Sequence, residues 1–340
     1  MIYLSARQPG WDMRPEWFST DHPYPYEILT ARQRSRPGRS PLVLPSALGE
    51  ALSRQDPGCV VSWEFGPATW RAFLWCRRRS LPLVVFSELT PWSDPALSQA
   101  QLRVHRALAP RLDGFLVASS KGRERLIALG VDPGRIEVAL QSADLEPFLA
   151  VSPRDDAQPP VRVLCVGRLV ADKNLATLIA AFAAAGFAWD EAELVVAGTG
   201  PLEEELRAAA SASGARVSFW GYVAPRELPR LYASADVMAL VSSYEPFGVT
   251  MREAAAAGLA LLCSTRAGAA GDVAVEGENA FLVDPESREE ITHALSRLVR
   301  EPELRRRLAH GSRAVTARHP LEADAEAWER SVLKATGRPT

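Results

Sequence analysis

Residues 242–258 read SSYEPFGVTMREAAAAG, and the stretch divides in two. Ser242 to Gly248 is polar and turn-forming, with Pro246 and Gly248 two apart. Val249 to Ala257 holds strong helix formers and no breaker, so a helix is expected there. The apolar run Val237-Met238-Ala239-Leu240-Val241 just before it has the length and composition of a buried strand. Strand, glycine-containing turn and helix in that order leave free backbone N–H groups at a helix N-terminus, which favours an anion. Two carboxylates flank the turn: Glu245 in the loop, and Glu253 about one turn into the helix. Acids on either side of a phosphate-sized nest suit a nucleotide whose hydroxyls must be held.

Glu245 and Glu253 are separated by seven residues, and Pro-Phe-Gly follows the first. This pattern resembles the E-x7-E signature of retaining glycosyltransferases with the GT-B fold, the family-4 type most of all. Two glutamates at a given spacing mean little. The run EPFG-x-T-x-x-E-A-x-A-x-G directly after an apolar strand is specific.

The chain has 340 residues, 47% hydrophobic and 24% charged, as in an ordinary soluble globular protein, and its length predicts two domains. A formal net charge of -2 argues against a general nucleic-acid binder. Cys59, Cys76, Cys165 and Cys263 are scattered singly, with no C-x-x-C pair or histidine cluster, so reduced thiols are expected rather than a disulfide framework or a zinc site. The N-terminus lacks the pattern of a signal peptide, and no apolar run is long enough to span a bilayer. A cytoplasmic protein is expected.

The first 150 residues are less legible. Met1–Leu4 reads as a first strand, and residues 5–45, rich in Pro, Arg, Trp and Tyr, read as a loop-rich, substrate-facing segment. Where members of the family begin with a strand and a Gly-Gly loop, this chain has Pro9-Gly10. Apolar runs at 59–63, 83–86 and 114–118, alternating with helical stretches near 69–79 and 121–129, indicate parallel βαβ units. Ligands gather at the carboxyl ends of such strands, which makes Trp63 with Glu64, Ser87 with Glu88, and Ser119 with Ser120 candidates. Many family members carry a histidine where this chain has Ser87-Glu88. Glu88 is therefore the candidate polar contact or general base toward an acceptor hydroxyl, and Glu64 is a weaker one of the same kind. The helix over Trp70–Arg79 has an apolar body and a basic end, which suits a solvated helix terminus and at most a weak peripheral membrane contact.

A polar, Pro-rich stretch at 152–160 predicts a domain boundary, with a first domain over 1–150 and a second over 151–320. The strand Val161–Val166 ends in Gly167-Arg168-Leu169-Val170-Ala171-Asp172-Lys173-Asn174, similar to the G-R-L-x-x-x-K-N that opens the family's second domain. Arg168 and Lys173 would stabilise the charge growing on a nucleoside diphosphate as it leaves. Gly198 and Gly200 follow the next strand and permit close backbone approach to a ligand, although a dinucleotide fingerprint is absent. The run from Phe219 through Asp236 resembles the family's F-x-G-x-V…E-L…L-Y…A-D, in which Tyr222 or Trp220 could meet the nucleotide base or pack in the core. Helices over 288–300 and 302–317 complete the domain, Arg305-Arg306-Arg307 forms a solvated face, and a helix from Leu321 crosses back to complete the first domain over 321–340.

The resemblance implies an α/β protein of the GT-B fold, two Rossmann-like parallel-sheet domains facing a cleft. Glu253 would accept from the ribose hydroxyls, Glu245 would lie by the donor sugar, and Phe247, Gly248, Val249 and Thr250 would line the phosphate site. The implied reaction is metal-independent transfer with retention, needing no cofactor beyond the nucleotide-sugar donor, UDP-sugar before GDP-sugar. The acceptor is a glycan, a lipid-linked sugar or a small natural product. A sugar-nucleotide epimerase, a phosphorylase and a catalytically silent nucleotide-sugar-binding subunit remain open on the same residues.

Overall fold

The computed structural model of the protein describes residues 2–3, 27–29, 31–36, 39–141, 143–154 and 159–338. Its N-terminal half runs β1 (Ile2–Tyr3), β2 (Glu27–Ile28), β3 (Ala31–Arg36), β4 (Arg39–Pro45), α1 (Leu48–Gln55), β5 (Val60–Trp63), α2 (Pro67–Arg79), β6 (Leu83–Ser87), α3 (Gln99–Leu108), β7 (Gly114–Val117), α4 (Ser120–Ala128), β8 (Ile136–Val138) and α5 (Glu146–Leu149). Strands β5 to β8 form a parallel sheet in chain order. Every residue of β6 and β7 is buried, as expected where helices cover both faces of a parallel sheet.

The loop-rich reading of 5–45 is corrected over 31–45. There β3 and β4 pair as an antiparallel ribbon whose register shifts between Arg34 and Arg36. A two-stranded ribbon tolerates Pro41 and Pro45, because its outer edge needs no backbone donors. Pro9-Gly10 lies outside the described residues.

The second half runs β9 (Val161–Val166), α6 (Leu175–Ala184), β10 (Ala192–Ala197), α7 (Glu203–Ser213), β11 (Val217–Gly221), α8 (Leu228–Ala233), β12 (Val237–Leu240), α9 (Val249–Ala257), β13 (Ala260–Ser264), β14 (Ala280–Val283), α10 (Arg288–Arg300), α11 (Pro302–Ala317) and α12 (Leu321–Thr336). Its six strands are all parallel, in the order β11-β10-β9-β12-β13-β14. Side chains alternate between two cores. Val163, Val196, Ala239 and Leu262 face α6, α7 and α10, while Leu164, Val195, Met238 and Leu261 face α8 and α9. The chain winds outward from β9 in one direction and from β12 in the other, so the two neighbouring strands mark a topological switch point. Their carboxyl ends diverge there and open a crevice.

Helix α12 returns to the first sheet and lies along β6, β7 and β8. Trp328 stacks on Phe86 with ring centroids 5.3 Å apart, and Arg330 pairs with Glu137 at 3.2 Å. Arg305 departs from the solvated-face expectation. It is 3% exposed and donates to the carbonyls of Leu298 and Val299 at 2.9 and 3.0 Å, near the end of α10, where carbonyls lack helical partners. Among the described residues no helix is long and apolar enough to cross a membrane.

Candidate active site

The crevice at the switch point is built from two loops. The first, Gly167–Asn174, leaves β9, and the second, Val241–Gly248, leaves β12. The Lys173 ammonium forms an ion pair with the Glu245 carboxylate, and the Ser243 N–H donates to the Asp172 carbonyl at 2.9 Å. Asn174, in a left-handed conformation (φ 54°), donates to the carbonyls of Val241 and Pro285 at 3.1 and 2.8 Å. The structure thus brings Lys173, Glu245 and the start of α9 together. Arg168 is exposed on the same loop.

Gly248 turns the chain into α9 with φ 99°, a conformation costly for any residue with a Cβ. A Cβ there would also stand 2.9 Å from Leu240 Cδ2. As N-cap it offers no side-chain cap, so the first N–H groups of α9, in the turn Val249-Thr250, face outward from the helix end. Phe247 anchors the turn in the core with no exposed surface, and its carbonyl accepts from the Ala269 N–H at 2.8 Å. The neighbouring Glu245 carbonyl accepts from Gly268 N–H at 3.1 Å.

Gly198 and Gly200 have a packing reason. A Cβ on Gly198 would fall 1.8 Å from the Gly167 carbonyl oxygen, and one on Gly200 2.4 Å from that of Leu169. The close approach these glycines permit is therefore to the Arg168 loop itself, which they hold in place. Tyr222 follows β11 and is half-buried, and Trp220 is 49% exposed.

Glu253 is half-buried one turn into α9 and accepts a hydrogen bond from the Tyr232 hydroxyl at 2.7 Å. Burial pushes its carboxyl upward, partly offset by that bond. Tyr232 is fully buried on α8, and its phenol is driven far up by burial and by the charge of Glu253. A sequence reading that stopped at the L-Y pair missed Tyr232. The available signal was an aromatic hydroxyl in a segment otherwise destined for the core.

Across the cleft the first domain presents Glu88 at the end of β6. Its carboxyl is pushed up by burial and then by the charge of Glu245, so the two acids stand within electrostatic reach of each other. Three contacts join the domains nearby. Tyr244 donates to Ser93 Oγ at 3.1 Å, and the Arg266 guanidinium lies 5.0 Å from the Trp92 ring centroid. Ser120 donates through its N–H and hydroxyl to the Asp272 carboxylate at 2.7 and 2.6 Å. Ser119 caps α4 by accepting from Gly122 N–H at 3.1 Å.

The family model described as glycosyl transferases group 1 matches residues 154–315, and that of the glycosyl transferase 4-like domain matches residues 8–139. The chain is similar to a glycogen synthase of Mycobacterium tuberculosis, 28% identical over 253 residues, which cover 73% of this chain and 58% of that protein. It is similar to a glycosyltransferase of Methanocaldococcus jannaschii, 30% identical over 178 residues, covering 52% of this chain and 44% of the other. The chain thus spans about half the length of the curated relatives it matches. The solved structure of HepE from Anabaena in complex with UDP and glucose superposes with a TM-score of 0.71 at 20% identity, over 90% of this chain and 85% of that one. At that identity the likeness shows the fold.

Proposed function

We propose that the chain, whose residues 154–315 match the model of the group 1 glycosyl transferases and whose residues 8–139 match that of the glycosyl transferase 4-like domain, on a GT-B fold, moves a sugar from a nucleotide-sugar donor to an acceptor hydroxyl, with retention. The observation that carries this reading is the Lys173–Glu245 ion pair beside the uncapped N-terminus of α9, at the switch point where α/β sheets bind ligands.

In this reading Glu253, oriented by Tyr232, accepts from the ribose hydroxyls, and Tyr222 lies toward the base. The N–H groups from Phe247 to Thr250 meet the diphosphate. Arg168 and Lys173 take up the charge that develops on it, the work a metal ion does elsewhere. Glu245 aligns the donor sugar. As the bond from the anomeric carbon to the phosphate oxygen breaks, its electron pair leaves with the nucleoside diphosphate. The acceptor oxygen bonds the same face of that carbon, and its proton passes to the leaving phosphate. Glu88 stands on the acceptor side of the cleft and orients the acceptor through a polar contact, while the reacting hydroxyl's own proton goes to the phosphate. UDP is the favoured nucleotide, supported by the UDP held by the Anabaena structure, and GDP is the second choice. The acceptor is a glycan, a lipid-linked sugar or a small natural product.

The test is thermal-shift titration with UDP, GDP and ADP, repeated on Lys173→Ala and Glu253→Ala. A nucleotide at a hundred times its dissociation constant stabilises the native state by about 2.7 kcal/mol. One nucleotide should shift the wild type and lose its effect in both variants. Release of that nucleotide from its sugar conjugate should then depend on an added acceptor. A wild type that binds none of the three overturns the reading.

A further inference from the structure

Among the described residues, five that are not glycine have positive φ, and four of them (Ala47, Asp56, Ser80 and Asn174) are helix caps. The fifth is Glu64, with φ 53°, just past the end of β5 and two residues before the α2 N-cap Gly66. A long side chain in the left-handed region persists only where the surroundings over-determine it. Here they do. The Glu64 N–H donates to the Phe86 carbonyl at 2.8 Å, and its carbonyl accepts from Thr69 Oγ1 at 2.5 Å.

The conformation turns the side chain onto the end of β6. One carboxylate oxygen accepts from the Glu88 N–H at 2.6 Å and the other from Ser87 Oγ at 2.8 Å. Both bonds end on the short segment that carries the cleft carboxylate Glu88. The charged and titratable groups facing Glu64 are Glu88 beside it, Arg125 on α4, and Tyr244 from the second domain. Arg125 is itself committed to Asp94 at 2.8 Å and to His105 Nδ1 at 2.9 Å. Glu88 in turn feels Glu245 from across the cleft.

We propose that Glu64 is the positioning residue of the acceptor side, its strained backbone and paired carboxylate bonds fixing the Ser87-Glu88 segment so that Glu88 faces Glu245 across the path of the incoming hydroxyl. The inference rests on the donor-site reading above and adds a residue that acts through Glu88 rather than on substrate. Burial pushes the Glu64 carboxyl up to about 7 despite its two bonds, as befits a group held for its position and not for solvation.

The experiment measures the acceptor-dependent release of UDP from UDP-glucose and, on the same preparations, UDP affinity by calorimetry. The set is the full chain as wild type, Glu64→Gln, Glu64→Gly, Glu88→Gln and the double variant Glu64→Gly/Glu88→Gln. Glycine relaxes the backbone at φ 53° and so offsets part of the loss of the two carboxylate bonds, and Glu64→Gly should still fold cooperatively, which its thermal melt checks. Its kcat should fall about tenfold or more through misplacement of Glu88, with UDP affinity within about twofold of wild type. Glu64→Gln, whose amide can still accept from Glu88 N–H and donate to Ser87 Oγ, should return kcat to within about threefold of wild type. The double variant should be no slower than Glu88→Gln alone, since residues acting as one unit are not additive. A Glu64→Gly kcat equal to that of the wild type, or a double variant slowed by the product of the two single effects, overturns the proposal. Absence of UDP binding throughout the set, wild type included, fails the donor reading instead.

Discussion

Arg252 sits next to Glu253 on α9 but points away from the crevice, and replacing it with methionine tests how the two domains are tied. Its guanidinium is 3% exposed. One nitrogen donates to Asp324 Oδ2 at 2.9 Å, to the Gln141 carbonyl at 2.9 Å and to the Leu140 carbonyl at 3.4 Å, and the other donates to the His319 carbonyl at 3.0 Å. Asp324, 5% exposed on α12, otherwise accepts only from Leu140 N–H at 2.8 Å among the bonds described. One cation therefore joins α9, the segment before α5, the turn before α12, and α12 itself. In Arg252→Met the methionine fills much of the volume, but the Asp324 charge stays buried without its partner. Breaking one side of such a pair costs about 3–5 kcal/mol. Adding Asp324→Asn removes the stranded charge and leaves an acceptor for Leu140 N–H, so the double variant should recover at least about half of the loss. Urea denaturation followed by tryptophan fluorescence reads both, with Trp328 reporting α12 against Phe86. A cost for Arg252→Met below about 1 kcal/mol, the range of an exposed pair, would refute the reasoning.

Three further outcomes are expected. Glu64 ionises near 7 in the folded chain against an ordinary 4.5, so the unfolded state gives up its proton first and stability falls as pH rises from 4.5 to 7. Glu64→Gln should therefore gain about 3 kcal/mol relative to wild type across that window and nothing further above it, and an unchanged difference between pH 4.5 and pH 8 contradicts this. Tyr232→Phe removes the donor to Glu253 and should cost about 1.5–3 kcal/mol of native stability, with weaker nucleotide binding that declines further as pH drops, because the Glu253 carboxyl moves higher still. Gly248→Ala meets both the φ of 99° and the Leu240 side chain, and should lower stability by about 1–3 kcal/mol and abolish the nucleotide-induced thermal shift; an unaltered Tm would sink the argument.

The sequence by itself determined the second domain almost entirely. Strands buried on both faces must be nearly continuous apolar runs, and Val237–Leu240 and Ala260–Ser264 are legible for that reason. The turn Glu245–Gly248 was legible because a φ of 99° at the entry to α9 favours glycine, and local backbone chemistry leaves a local mark. The ribbon over 31–45 escaped notice because prolines that forbid a central strand are harmless in a two-stranded one. Tertiary structure alone decided who meets whom. Lys173 and Glu245 are 72 positions apart, Tyr232 and Glu253 21, and Glu64 and Glu88 24. Nothing in the composition of either partner marks such pairs. Arg305, one of three adjacent arginines, is buried for the same kind of reason: only the folded chain brings the carbonyls of Leu298 and Val299 to it. Local propensity and burial pattern act over a few residues and are written along the chain. The pairing of charges across a cleft depends on how sheets and crossovers stack, and it comes into being only when they do.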